Sequence, residues 1–396
     1  VNKLTLSYLN TTFGFWLTSF LVPLLILDLT GSAFIVTASY ALNIAPYILI
    51  TPLAGVIGDS FSRKNIILFG EFACFLLGGL LYLTPYNAHS VWIIIILGFL
   101  ISSFAAIHHP VFQSIIPDVI QGEKIKDTNA NIGVVDSIVG IIAPILLGIM
   151  LFQIDKKSVT LVIPLLYLLS FMIFLTIPYQ KKVVSEHLTA RTAMHSLKEG
   201  FVYVGGNKSL RNIAILFFFV NIGIRLILPN LIWIYSKVFL LNDRNIAPYF
   251  IIIGVLAITG AKIAPKLIGR FSDISIILTA SLMIALCSFA LILAHSPVTF
   301  SLIWGGACLV QSVIVVTFFT YRLKITPNHI LSRVVSVTRL ISYLAIPVAA
   351  LSGGWSLEKS GNVNLLYILS GLVTMFAVMM FLLLGTRLLK SRALRS

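Results

Sequence analysis

Six residues able to carry charge or exchange protons stand inside long apolar stretches of this chain: Glu71, His108, His109, Asp136, Arg225 and Arg339. Such groups are costly in apolar surroundings and are functional candidates for that reason. Arg225 lies one turn after Asn221 and one turn before Pro229. Its planar fork of donors suits an anionic or carbonyl-rich solute, with Asn221 beside it; the alternative is a structural arginine paired with an acid elsewhere. Asp136 and Arg339 each stand eight residues before a proline, Pro144 and Pro347. Together they could form a proton site and its cationic counterpart, because a carboxylate withdrawn from water exchanges its proton as a cation approaches or leaves. They equally fit two unrelated charges near a membrane interface. Glu71 is a second proton candidate, or else it pairs with Lys64 two turns earlier. His108 and His109, with Gln113 one turn beyond His109, could touch substrate or relay protons near neutral pH.

Other chemistry is disfavoured. Adjacent histidines diverge on a helix and no third ligand stands at metal spacing, so neither a metal nor a cofactor is expected. The three cysteines, Cys74, Cys287 and Cys308, lie in apolar stretches without CxxC spacing and read as buried filler. No phosphate-binding loop, nucleophile elbow, dinucleotide fingerprint or desaturase-type histidine cluster occurs, so an enzyme is not expected.

The elements that must position these residues follow from composition. Of 396 residues, 58% are apolar and 10% charged, with a mean hydropathy of +1.02. Globular proteins carry about 25% charged residues, so a soluble enzyme or a nucleic-acid-binding module is excluded. A bilayer core needs about 20 apolar residues per helix. Twelve spans are predicted: 6–28, 34–57, 65–84, 91–116, 130–153, 159–179, 211–236, 246–264, 275–294, 298–321, 332–355 and 364–386. The first is expected to be a retained helix rather than a cleaved leader. The net charge of +15 is then an orientation signal. Only Lys156, Lys157, Lys237, Arg244 and Lys359 fall outside when the N-terminus is placed inside; Arg225 and Arg339 lie within spans, and every other basic residue faces the cytoplasm. Both termini are therefore expected to be cytoplasmic. Asp28 falls at an external span end, as an interfacial group.

The spans divide into an N-terminal six-helix half (1–179), a cytoplasmic linker (180–210) and a C-terminal six-helix half (211–396). In the linker, Leu197, Phe201 and Val204 recur at helical spacing until Gly205 and Gly206, which predicts a short amphipathic helix on the inner membrane face. The halves repeat. Phe61-Ser62-Arg63 and the residues after it match Phe271-Ser272-Asp273 at an offset of 210, Ile116-Pro117-Asp118 matches Thr326-Pro327-Asn328 at the same offset, and Pro144 matches Pro347. Two six-helix repeats imply a site between them near the midplane and alternating access by rocking.

The loop Gly55-Val56-Ile57-Gly58-Asp59-Ser60-Phe61-Ser62-Arg63-Lys64 resembles the G-x-x-x-D-R-x-G-R-R signature of the major facilitator superfamily. Gly55, Asp59, Arg63 and Lys64 match; Ser60 replaces a basic residue and Ser62 a glycine. A glycine lets helices approach closely, and the charges can lock one face shut, so these four are gating candidates. Gly140-Ile141-Ile142-Ala143-Pro144-Ile145-Leu146-Leu147-Gly148 is similar to the glycine and proline motif of exporters in that superfamily, which adds Gly140, Pro144 and Gly148 to the gating set. Thr326-Pro327 with Ser332-Arg333, and Glu199-Gly200-Phe201, resemble the branch of macrolide efflux pumps and the enterobactin exporter.

The resemblance implies an all-α major facilitator fold of twelve transmembrane helices in the bacterial inner membrane. There, spans one, four, seven and ten line the cavity, so Arg225 would face substrate. The implied function is proton-driven export of a small organic molecule, a drug or siderophore; the alternatives are a proton-coupled importer of a similar solute and a lysophospholipid flippase. Expected partners are the small-molecule substrate, protons and membrane lipids, with no nucleic acid, and the protein is expected to be a monomer.

Overall fold

The structure is a computed structural model that describes residues 3–50, 62–120, 124–179, 190–327 and 330–393, and every regular element among them is helical. Thirteen helices are numbered here: α1 Lys3–Thr30, α2 Ala33–Leu49, α3 Arg63–Leu83, α4 Val91–Val119, α5 Lys124–Gln153, α6 Lys156–Leu175, α7 Ala190–Gly206, α8 Lys208–Val238, α9 Asp243–Ile268, α10 Asp273–Ala290, α11 Pro297–Ile325, α12 Leu331–Ser360 and α13 Val363–Ala393. Ten helices among the described residues are long and apolar enough to cross a membrane, and two shorter apolar stretches, Ala33–Leu49 and Ile142–Gln153, stand at expected spans two and five.

Local signals set the helix ends. Side chains of Ser32, Asn207, Ser272 and Ser296 cap the N-termini of α2, α8, α10 and α11, the last as a reciprocal capping box with Thr299. Asp155 caps α6: its carboxylate accepts from the Ser158 N–H at 2.9 Å and hydroxyl at 2.6 Å, which holds it below the usual carboxylate range. Gly31 and Gly361 end α1 and α12 with left-handed backbone, at φ of 64° and 61°.

The chain forms two compact units, Val1–His195 with Asn242–Ala247, and Ser196–Leu241 with Pro248–Ser396. Each is packed as bilayer helices are: bulky apolar side chains such as Leu83 and Trp92 in the first, or Leu293 and Trp355 in the second, face outward, while small polar ones such as Ser7, Ser170, Ser288 and Ser370 are buried between helices. The repeat predicted from sequence recurs in the packing. A methyl group added at Gly14 of α1 would come within 3.0 Å of Tyr167 on α6, and one added at Gly223 of α8 would meet Ser370 and Thr374 on α13.

Three sequence expectations need correction in detail. The sixth span ends at Leu175 instead of 179, since Lys64 caps it there. The linker helix is longer than Leu197–Val204, running from Ala190 to Gly206. Its apolar side is also partly committed to protein: Val204, with Leu197 and Tyr203, packs against Ile330, Val334 and Val337, whereas Phe201 is exposed. Finally Arg322, placed by sequence in a cytoplasmic loop, is a buried member of α11.

The docking of α7 onto α12 depends on one glycine. A Cβ on Gly200 would lie 2.8 Å from the Arg333 carbonyl oxygen, and the neighbouring Glu199 pairs with the Arg333 guanidinium. Gly200→Val should therefore cost about 1–3 kcal/mol of this contact. Hydrogen exchange should rise across α7 and the start of α12 while α1–α6 stay protected.

Candidate functional site

Among the described acidic and basic side chains of the first unit, the most enclosed is Glu71, on α3, with 1% of its surface exposed. Lys64 does not reach it. The Lys64 ammonium instead donates to the carbonyl oxygens of Leu175 and Ile177, at 3.1 and 2.7 Å, and caps the end of α6. Glu71 turns into the bundle, where α1 supplies Thr11 and α6 supplies Ser170. Both hydroxyls donate to Oε1, that of Ser170 over 3.0 Å. Behind them Ser7 Oγ lies 2.7 Å from Ser170 Oγ. From α4, His108 brings Nε2 to 2.9 Å from the same carboxylate oxygen, off the line of a formal hydrogen bond. Oε2 has no hydrogen-bond partner among the described residues.

The imidazole of His108 is itself 5% exposed. It is stacked with Phe112 at 5.3 Å and with Tyr8 at 6.1 Å between ring centroids. Cys74 and Tyr167 are further titratable groups within electrostatic reach of Glu71. Four helices thus converge on one carboxyl and one imidazole sealed from solvent. Such a pair can hold one proton or two, and the open Oε2 gives the second a place to bind. His109 contacts Tyr8 from the neighbouring position, with centroids 6.0 Å apart, while Gln113 is exposed. The two histidines therefore divide, one inside the helix cluster and one at its edge.

At the end of this unit Arg63, the first residue of α3, donates to Asp118 Oδ2 and to the Ser114 carbonyl of α4, each at 2.9 Å. The repeat reverses this pair. In the second unit Asp273 opens α10 and accepts from Lys324 of α11 at 2.9 and 3.2 Å. An offset of 210 residues makes Asp273 the counterpart of Arg63, and Lys324 the counterpart of Ser114. The same two helix ends are tied in each unit with cation and carboxylate exchanged. Gly55 and Asp59 lie outside the described residues, as does the side chain of Asp136. Gly140 packs α5 on Trp16 of α1, a Cβ there meeting the indole at 3.3 Å; Pro144 is half-buried and Gly148 buried. On the opposite helix ends Asp28 pairs with Lys156 and accepts from the Tyr86 hydroxyl at 2.6 Å.

In the second unit Arg225 is half-buried on α8, within electrostatic reach of Cys308 on α11. Asn221 is buried, and its amide donates to the Phe217 carbonyl of its own helix at 2.7 Å. Beyond Arg225 the helix is irregular, with a 3₁₀ turn at Leu228–Asn230 and a π turn at Ile234–Val238. Such departures often mark functional segments. Arg339 is exposed on α12.

Sequence reasoning missed two features. Glu199 and Arg333, noticed as parts of separate motifs, form one ion pair. Arg322 was counted among loop charges, although its position just after a long run of apolar residues was a signal that could have found it.

The family model of the Major Facilitator Superfamily matches residues 4–350. Among characterised proteins, Macrolide efflux protein A of Streptococcus pyogenes is 24% identical over 356 residues, covering 86% of this chain and 85% of that protein. Among solved structures, the nucleoside transporter NupG superposes with a TM-score of 0.72 at 14% identity, covering 97% of this chain and 99% of that one. The D-xylose-proton symporter also gives 0.72 at 14% identity, with 96% and 95% covered. A bacterial homologue of the human lysosomal transporter Spinster gives 0.71 at 13%, with 98% and 96% covered.

Proposed function

Because the chain belongs to the Major Facilitator Superfamily, we propose that it is a secondary transporter that exports a small organic molecule, a drug or siderophore, in exchange for protons. It acts in the bacterial inner membrane with both termini in the cytoplasm, as its basic residues are distributed. Export is supported by the sequence relationship to a macrolide efflux protein. The observation that carries proton coupling is the enclosed Glu71–His108 pair. A proton taken from the outer side binds this pair, changes its charge and alters which helix arrangement is favoured; its release to the cytoplasm accompanies substrate leaving in the other direction. Asp136 is the second candidate for this role, and Arg225 with Asn221 the candidate substrate contact.

Purified protein in liposomes with an imposed pH gradient tests this reading. Labelled macrolide should move against its gradient only while protons flow oppositely. Solute moving in the same direction as protons would make the protein an importer. Lysophospholipid translocation without solute movement would make it a flippase.

The ion pair at the end of α3 supports gating and carries a separate expectation. Arg63→Gln, and Asp59→Asn in the same loop, should reduce transport about tenfold while substrate affinity stays within a few-fold, because the loop acts on rocking and not on the ligand. Binding and flux constants measured on the same preparation check this. Loss of binding with unimpaired exchange would assign these residues to recognition instead.

A further inference from the structure

The two units carry an equivalent aromatic layer with one decisive difference. In the first, Tyr8, His108 and Phe112 stack together beside Glu71. Offsets of 209 or 210 residues carry these four positions to Phe217, Phe318, Arg322 and Ser281. The second layer is built the same way: Phe217 stacks on Phe318 with centroids 4.6 Å apart, and the Arg322 guanidinium lies 5.6 and 5.0 Å from the rings of Phe318 and Phe319. Each layer therefore holds one basic group. In the first the basic group is His108, and the carboxylate of Glu71 faces it; in the second it is Arg322, one turn on at the position of Phe112, and the counterpart of Glu71 is Ser281, also fully buried.

No carboxylate of its own unit replaces the missing one. Arg322 is only 7% exposed. Its Nη1 donates to Thr338 Oγ1 at 2.8 Å, and its Nε has no hydrogen-bond partner among the described residues. Arg339, the residue after Thr338 on α12, is a charge of the same sign within electrostatic reach of it. Three acids occur in this unit. Glu199 is engaged by Arg333 and Asp273 by Lys324. Glu358 lies near the end of α12, about 28 Å along the helix from Arg339 at 1.5 Å per residue. The Phe318 and Phe319 rings offset part of the cost of burying this guanidinium, and an anion joining it would offset more.

We propose that Arg322, assisted by Arg339, is a binding seat for an oxyanion, a carboxylate or phosphate, brought either by a solute or by an anionic lipid headgroup. The planar fork offers Nε and the remaining Nη donors for paired hydrogen bonds, and Phe318 and Phe319 wall the site. The solute source rests on the transporter reading above; the binding itself does not, and it is measured without transport.

The test uses the full chain purified in neutral detergent. Unfolding temperature is followed with inorganic phosphate and with acetate, each against sodium chloride of equal ionic strength, and then in nanodiscs with and without phosphatidylglycerol. The parent should be stabilised by an oxyanion beyond the salt control. Arg322→Met should lose that response and, without anion, should unfold at a higher temperature than the parent, since an incompletely compensated buried charge has been replaced by an apolar side chain. Should Arg322→Met not fold, Arg339→Gln should weaken the phosphate response about tenfold in apparent affinity. Stabilisation by phosphate or acetate in detergent identifies a solute site, and stabilisation only by phosphatidylglycerol identifies a lipid site; both uphold the oxyanion seat. The proposal is overturned if the parent responds to none of these anions, or if the response survives in the variants. It is also overturned if Asp59→Asn or Asp136→Asn destabilises the parent but not Arg322→Met, which would make a carboxylate of the first unit the counter-ion. A failed efflux assay leaves all of these readouts unaffected.

Discussion

Glu71→Gln is expected to abolish uphill transport, by about 100-fold or more, while leaving downhill exchange intact. The glutamine keeps an acceptor for the hydroxyls of Thr11 and Ser170 and occupies nearly the same volume, so the four-helix packing around position 71 is preserved. What it cannot do is change charge. His108, Cys74 and Tyr167 remain as titratable neighbours, with His109 beyond Tyr8. If Glu71 carries the proton as proposed, none of these replaces its carboxyl, and the variant's exchange rate should lose the parent's dependence on pH. Substrate accumulation under an imposed pH gradient, compared with counterflow in its absence, separates the two behaviours. A Gln variant that builds the parental gradient would remove Glu71 from the proton path and leave Asp136 to be tested by the same substitution to an amide, Asp136→Asn.

The second large effect is on folding. The helices α9 and α11 cross at two glycines: Gly260 faces the backbone of Leu309, and Gly305 faces Ile253 and Leu256. A Cβ on Gly260 would overlap the Leu309 carbonyl oxygen, a backbone atom that cannot rotate away. Gly260→Ala should therefore push the helices apart and cost about 3 kcal/mol, at the upper end for overpacking, with a marked loss of monodisperse protein. Gly79→Ala is the matched control, since a methyl there meets nothing within 4 Å. It should be neutral or slightly stabilising through helix propensity, by up to about 1 kcal/mol. Thermal unfolding of the two variants in one detergent decides the matter; equal stabilities would mean the crossing can relax.

Reversal of the ion pair between units shows how a repeat can keep a mechanical tie while exchanging its chemistry. Arg63 with Asp118, and Asp273 with Lys324, join the same helix ends with opposite polarity. A pair of this kind restrains two helices whichever partner carries the cation, so exchanging both members together should be tolerated better than replacing one. The aromatic layers differ in another way. The second has Ser281 where the first has an acid, yet it keeps a cation at Arg322, and that charge is left for something else to neutralise.

Sequence by itself determined the helical membrane class, the family, the repeat and, for the long helices described, span positions within a few residues. These follow from hydropathy, charge bias and spacing, which are read along one chain segment at a time and need no knowledge of neighbours. Tertiary structure decided which polar residues meet. Lys64 and Glu71 are two turns apart and looked like a pair, yet Lys64 finds the free carbonyls at the end of α6 and Glu71 finds His108, because each helix presents its face to a different partner. Glu199 and Arg333 are far apart in sequence and meet because Gly200 lets α7 approach α12. Arg322 looked like a loop cation only because the end of α11 is defined by packing and capping and not by hydropathy. Contacts between helices depend on rotation, crossing and the small residues at each crossing, and a one-dimensional apolar pattern leaves all three open.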